Sequence, residues 1–198
     1  PGSGKSSTSD KVSELLGYTR HSSGDMVRNA LKKHKMSLAE YNDETNTEFS
    51  LDEEVDEALR ELRIQKDVVV DSRLGFYWLP ESFKVYLDLD LEIATARIFK
   101  DTVSNQMRRD VGTSSSSLAG VTRQVRERML AEQNRFRNLY GVDPYNKNHF
   151  DLVIDTSRQN PQSVAIAVFD SYRKWLDSEV WEPKHNSVPL RYSFKNQY

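Results

Sequence analysis

Apolar positions along the chain change their period more than once, and the changes divide it into helices and buried strands. From Lys5 to Leu16, Val12, Leu15 and Leu16 share one helical face, and Gly17 ends the stretch. Tyr18 to His21 reads as a short strand. Ser22-Ser23-Gly24-Asp25 then makes a turn into a second helix, whose apolar side carries Met26, Val27, Ala30 and Leu31. A short helix is expected over Met36 to Asn46, capped near Ser37 with Glu40 three residues on. Leu51, Val55, Ala58, Leu59 and Leu62 mark an amphipathic helix from Leu51 to Ile64.

Continuous apolar runs then replace helical spacing. Val68-Val69-Val70 ends in Asp71, Phe83 to Leu87 ends near Asp88, and Leu152-Val153-Ile154 ends in Asp155. Short apolar runs separated by helices imply a parallel sheet covered on both faces, so the expected fold is a three-layer α/β sandwich. A helix from Pro161 to about Leu176 follows the last run. Asp101 to Tyr140 has no strand signal and is rich in arginine; it reads as helices joined by a mobile connection around Ser114 to Ser117, projecting from the sheet. Glu182 to Tyr198 is polar and reads as an irregular arm packing through Trp181, Tyr192 or Phe194, or as a partly disordered tail.

Composition narrows the possibilities. A chain of 198 residues with 37% apolar content can bury one domain core. Its 28 basic and 30 acidic residues give a net charge of -2, which offers no support for a large nucleic-acid surface. There is no cysteine, so disulfides and thiolate metal sites are excluded. No apolar run approaches the roughly 20 residues needed to span a bilayer. A cytoplasmic enzyme without membrane or polymer partners, monomeric or weakly self-associating, is the simplest expectation. His21, His34, His149 and His185 show no metal-ligand spacing.

The chemistry is concentrated at one end. Pro1-Gly2-Ser3-Gly4-Lys5-Ser6-Ser7 is the back half of the phosphate-binding pattern G-x-x-x-x-G-K-[ST]. Backbone N–H groups of such a loop, with the helix that follows, surround a phosphate; Lys5 would reach the outer phosphates and Ser6 would offer its hydroxyl to Mg²⁺. The first glycine of the pattern and an apolar strand near the centre of the sheet are expected ahead of it. Asp71, at the end of its strand, is placed to hold a Mg²⁺-bound water. Arg73, two residues on, and Arg28, one helical turn after Gly24-Asp25, have the fork that binds a second phosphate. Among Arg123, Arg126, Arg128, Arg135 and Arg137, spacing alone does not select a catalytic one. Phe76, Tyr77 and Trp78 suit a nucleobase wall and core packing equally.

In this order the motifs resemble the nucleoside monophosphate kinase family, most closely cytidylate kinases of the short archaeal type. Gly2 to Ser6 looks like its phosphate loop, and Ser22 to Arg28 looks like the segment that opens its monophosphate region. Val69-Val70-Asp71-Ser72-Arg73-Leu74-Gly75 is similar to its acidic strand end. Arg126-Glu127-Arg128, Arg135 and Tyr140-Gly141-Val142-Asp143 look like its lid and the turn after it, and Asp151 to Ser157 like its last strand and donor-base loop. The resemblance implies a P-loop domain over 1–177, with an acceptor-binding helical region at 22–66, a helical lid at 101–140 and an arm at 178–198.

The implied reaction is phosphoryl transfer from ATP to CMP or dCMP with Mg²⁺. The implied donor-phosphate residues are Gly2, Ser3, Gly4, Lys5, Ser6 and Ser7; those for the acceptor are Ser22, Gly24, Asp25, Arg28 and Arg73. Lys5, Asp71, Arg128 and Arg135 are the implied catalytic groups, and Ser6 with Asp71, through water, the implied metal contacts. A kinase acting on another nucleotide or metabolite, and a non-catalytic nucleotide-binding module, are the competing expectations.

Overall fold

The computed structural model describes residues 2–41, 50–104 and 117–187. The strands are β1 (Thr19–Ser22), β2 (Val68–Asp71), β3 (Val85–Asp88), β4 (Leu152–Asp155) and β5 (Lys184–Ser187). The helices are α1 (Lys5–Leu16), α2 (Ser23–His34), α3 (Leu38–Tyr41), α4 (Ser50–Glu61), α5 (Gly75–Trp78), α6 (Leu91–Ser104), α7 (Leu118–Tyr140) and α8 (Pro161–Leu176). This is the α/β fold with parallel strands expected from the apolar runs.

β2 shows why the fold has three layers. Its side chains alternate faces, as in any strand. Val70 packs on the cluster built from Ala30 and Leu31 of α2 and Leu51, Val55 and Leu59 of α4. Val69 packs on the opposite cluster, made by Val12 of α1, Leu152 and Ile154 of β4, and Val164, Ala165 and Val168 of α8. Leu152, Val153 and Ile154 are all fully buried, as an unbroken apolar run predicts for a strand flanked on both edges.

Strand pairing is divided. β1 pairs with β2, and β3, β4 and β5 form a second unit, with every pairing parallel. Residues of β2 and β3, with Val12, Leu16 and Tyr172, wall a cavity of about 430 Å³. Among the described residues no strand bridges these two units.

Capping fixes the helix starts near the sheet ends. The Ser22 side chain accepts from Asp25 N–H to open α2, Asn160 accepts from Ser163 N–H at 2.8 Å ahead of Pro161 in α8, and Ser117 accepts from Gly120 N–H at the start of α7. Gly75–Trp78 is a single helical turn, an element the apolar pattern did not announce. The arm contributes a short strand, β5, rather than only irregular chain. Trp181 packs against Phe83 at 5.6 Å between ring centroids and donates to the Asp151 carbonyl at 3.1 Å, as an anchored arm requires. The expected helix over Met36 to Asn46 is described only as α3; its remainder, the Ser114 to Ser116 part of the lid connection, and Tyr192 and Phe194 lie outside the described residues.

Candidate functional site

The phosphate loop runs directly into α1. Gly2 and Gly4 have φ of 75° and 78°, and a Cβ on Gly2 would stand 2.8 Å from the Ala94 carbonyl oxygen of α6. Only glycine meets both demands without strain. Gly4 is the N-cap of α1 and has no side-chain cap, so the first amides of the helix, around Lys5, Ser6 and the exposed Ser7, are disposed as in an anion-binding turn.

β1 and β2 end side by side, with Ser22 opposite Asp71, so the head of α2 meets the carboxyl edge of β2. Ser23 Oγ donates to the Asp71 carbonyl at 3.4 Å. The Asp71 side chain receives three donors from two elements, Lys5 and Ser6 of α1 and Arg20 of β1. Lys5 Nζ forms an ion pair with Oδ1; Ser6 Oγ donates to Oδ2 at 2.9 Å, and Arg20 donates to Oδ2 at 3.0 Å. Asp71 is only 3% exposed. Burial works against its charge, but Lys5, Ser6 and Arg20 outweigh it and hold the carboxyl below the usual aspartate range. For Lys5, burial outweighs the pull of Asp71 and lowers the ammonium pKa.

The structure therefore brings together Lys5, Ser6 and Asp71, three residues singled out from sequence. Ser6 and Asp71 supply one hydroxyl and one carboxylate, both oxygen donors. That set fits Mg²⁺, which retains several waters and binds substrate phosphates rather than an all-protein cage.

Arg73 turns toward α7, where its Nε lies 2.7 Å from Glu132 Oε2. Arg128 Nε donates to Glu132 Oε1 at 3.1 Å, and Tyr145 donates its hydroxyl to Oε2 at 2.9 Å. Arg28 is paired with Asp25 across one turn of α2, on the exposed side of that helix, and this hydrogen bond is the largest cause of the lowered Asp25 pKa. Gly24 lies beside it; a Cβ there would sit 3.5 Å from the Arg28 guanidinium.

Arg135 lies elsewhere than expected for a group over the phosphates. It forms a two-point ion pair with Asp52 of α4, donates to the Tyr41 carbonyl at 3.2 Å and lies over the Tyr41 ring at 4.4 Å. One turn further along each helix, the Tyr140 hydroxyl donates to Asp56, whose other oxygen accepts from Trp78 Nε1 at 2.9 Å. Phe76 stacks on His149 at 4.6 Å, and Tyr77 and Trp78 pack on Tyr140. All three aromatics of α5 thus take part in ring packing.

Sequence reading missed Arg20, Glu132, Tyr145, Asp52 and Asp56 as parts of this region. Arg20 carried a usable signal, as a lone cation inside a short strand. Glu132 reads as an ordinary surface partner of Arg128 four residues away, and its burial against Arg73 is visible only in three dimensions. The loop after β4 is fixed by Thr156 Oγ1 donating to the Asp88 carbonyl at 2.9 Å and by Arg97 donating to the Thr156 carbonyl at 2.7 Å.

A glycine phosphate loop opening a helix, beside an acidic end of a parallel strand, defines a P-loop nucleotide-binding domain. The chain belongs to the AAA domain family, which it matches over residues 1–119. It is 32% identical over 192 residues to the S-adenosylmethionine-dependent nucleotide dehydratase of Lacinutrix mariniflava, a match covering 92% of this chain but 38% of that protein. It is also 27% identical over 188 residues to the cytidylate kinase of Thermoplasma volcanium, covering 92% of this chain and 93% of the relative. With the cytidylate kinase of Halobacterium salinarum the identity is 29% over 200 residues, covering 98% and 96%. Among the described residues no helix is long and apolar enough to cross a membrane.

Proposed function

We propose that this domain is an ATP-dependent nucleoside monophosphate kinase that transfers the γ-phosphoryl group of ATP to CMP or dCMP. The observation that carries the reading is the convergence of Lys5, Ser6, Asp71 and Arg73 at one strand edge, with Arg128 approaching from α7. A donor needs the loop amides and Lys5; an acceptor monophosphate needs a second cationic seat, which Arg73 provides. The similarity to archaeal cytidylate kinases over nearly their whole length supports the same reading.

In this reading an acceptor phosphate oxygen forms the new P–O bond while the bond from γ-phosphorus to the bridging oxygen breaks, leaving ADP. Catalysis consists of alignment and charge compensation, so no protein nucleophile is needed. The loop amides and Lys5 hold the donor phosphates, Arg73 orients the acceptor, and Arg128 meets charge shared between them. Mg²⁺ would be held by Ser6 and, through water, by Asp71, and it supplies charge neutralisation on the phosphate oxygens. Ser22, Gly24, Asp25 and Arg28 shape the acceptor side from the head of α2. Arg135 serves through its joint with Asp52, setting α7 against α4.

The test is diphosphate formation from ATP with Mg²⁺ and each of CMP, dCMP, UMP, AMP, GMP and TMP, with Arg73→Ala assayed in parallel. CMP or dCMP should lead, and Arg73→Ala should raise the acceptor KM far more than it weakens ATP binding. Product from none of the six, with ATP binding intact, would sink the kinase reading; preference for another base would reject the cytidylate assignment alone.

A further inference from the structure

Glu132 is 12% exposed at its side chain, yet it is bound by groups from three separate places. Arg73 reaches it from the chain just after β2, Arg128 from its own helix, and Tyr145 from the turn beyond α7. That turn is folded back by Asp143, which accepts from Tyr145 N–H at 2.9 Å and from Gln133 at 2.7 Å. The charge of Glu132 also acts on Lys5, raising the ammonium pKa against the larger effect of burial. A single carboxylate therefore stands at the meeting point of the loop lysine, the strand-end arginine and a helix arginine.

We infer that Glu132 is a displaceable counter-anion on Arg73, and that it selects a dianionic phosphate monoester over singly charged ligands at that seat. The inference rests on the kinase reading for the identity of the acceptor, but its physical basis is independent of turnover. A ligand reaching Arg73 must replace the carboxylate already paired with it. A phosphate monoester carries close to two charges at neutral pH and offers several acceptor oxygens, so it gains more from the guanidinium than the carboxylate does. A phosphodiester or a metabolite carboxylate brings one charge, the same as Glu132, and gains nothing by the exchange. Once displaced, Glu132 keeps Arg128 and Tyr145, stays close, and repels any anion that arrives. Glu132 is thus a positioning and specificity residue, acting through Arg73 and Arg128.

The experiment compares methyl phosphate with dimethyl phosphate by calorimetry, on the unmodified protein and on Glu132→Gln and Glu132→Asp. The unmodified protein should prefer the monoester by about a hundredfold or more, whereas Glu132→Gln should bind methyl phosphate about tenfold tighter and narrow the preference. Glu132→Asp, which keeps the charge, should return toward the unmodified behaviour. With CMP as acceptor, Glu132→Gln should lower KM and also lower kcat, because Arg128 loses its anchor. Methyl phosphate affinity unchanged or weaker in Glu132→Gln would overturn the inference. If that variant does not fold, a monoester preference below about tenfold in the unmodified protein overturns it equally. Binding of methyl phosphate needs no transfer, so a protein that phosphorylates none of the six nucleotides still tests Glu132. A working kinase with an unaltered Glu132→Gln variant would reject this inference alone.

Discussion

Two buried carboxylate centres in this domain share a composition and differ in purpose. Asp71 at the end of β2 is 3% exposed, and Asp52 and Asp56 on α4 are each 5% exposed. Both centres hold an arginine and hydroxyl donors. At Asp71 the partners are Lys5, Ser6 and Arg20, and the Lys5 side chain remains 40% exposed. At Asp52 and Asp56 the partners are Arg135, Tyr41, Tyr140 and Trp78, closed between α4 and α7. The first centre joins groups suited to phosphate and Mg²⁺ at an accessible edge. The second is a joint between helices. An arginine on a buried carboxylate therefore identifies neither catalysis nor packing; accessibility and the other partners decide.

The largest expected effect breaks the first centre. Lys5→Ala removes the cation that the proposed function sets on the donor phosphates, while Ser6 and Arg20 still satisfy Asp71. Phosphoryl transfer should fall by about a thousandfold in kcat, on the scale of losing one preorganised charge donor. The melting temperature should move little, as circular dichroism would show. A large loss of stability with transfer preserved would make Lys5 a structural residue and erase the contrast.

Breaking the second centre should give the opposite pattern. Asp52→Ala removes the Asp52 carboxylate from the Arg135 guanidinium, which is 14% exposed at its side chain. Removal of one partner from a buried pair costs about 3 kcal/mol, which corresponds to roughly 6–12 °C in melting temperature for a domain of this size. The kcat measured well below that temperature should fall far less than in Lys5→Ala. A thousandfold loss of kcat with an unchanged melting curve would instead place Asp52 and Arg135 in the chemistry.

The two centres were not equally legible in the sequence. Val68-Val69-Val70-Asp71 declares a buried strand ending in a carboxylate, and Gly4-Lys5-Ser6 has the phosphate-loop pattern, so their meeting follows from α/β topology. Leu152-Val153-Ile154 is nearly as plain, because a short, mostly β-branched apolar run between helices suits a strand covered on both faces, and all three residues are fully buried. Asp52 and Asp56 carry no such signal. In Leu51-Asp52-Glu53-Glu54-Val55-Asp56 they look like the solvated side of an amphipathic helix, and their partners Arg135 and Tyr140 lie more than 80 residues away. β5 was hidden for a different reason. Lys184 to Ser187 has no apolar period and joins β4 through its backbone, with Lys184 N–H donating to the Asp151 carbonyl at 2.9 Å.

The smallest expected effect sharpens the comparison through pH, because the two centres shift their carboxyls in opposite directions. At Asp56 burial is the largest influence, and it raises the pKa despite the hydrogen bonds from Tyr140 and Trp78. At Asp71 burial also raises it, but the nearby cations and Ser6 reverse the sign. An aspartate raised in the folded protein binds its proton more tightly there than in the unfolded chain. Its contribution to stability is thus fully present below the usual value of 3.8 and is lost as pH rises through the higher folded value. The Asp71 contribution has the opposite sign: it is present above 3.8 and lost only as pH falls through a lower folded value. Urea unfolding from about pH 2 to pH 7 should show the unmodified protein losing stability relative to Asp56→Asn as pH rises above 3.8. Relative to Asp71→Asn, it should lose stability only at the acid end, as pH falls. Slopes of one sign for both pairs would mean that burial governs both carboxyls, and that the cations around Asp71 do not set its charge.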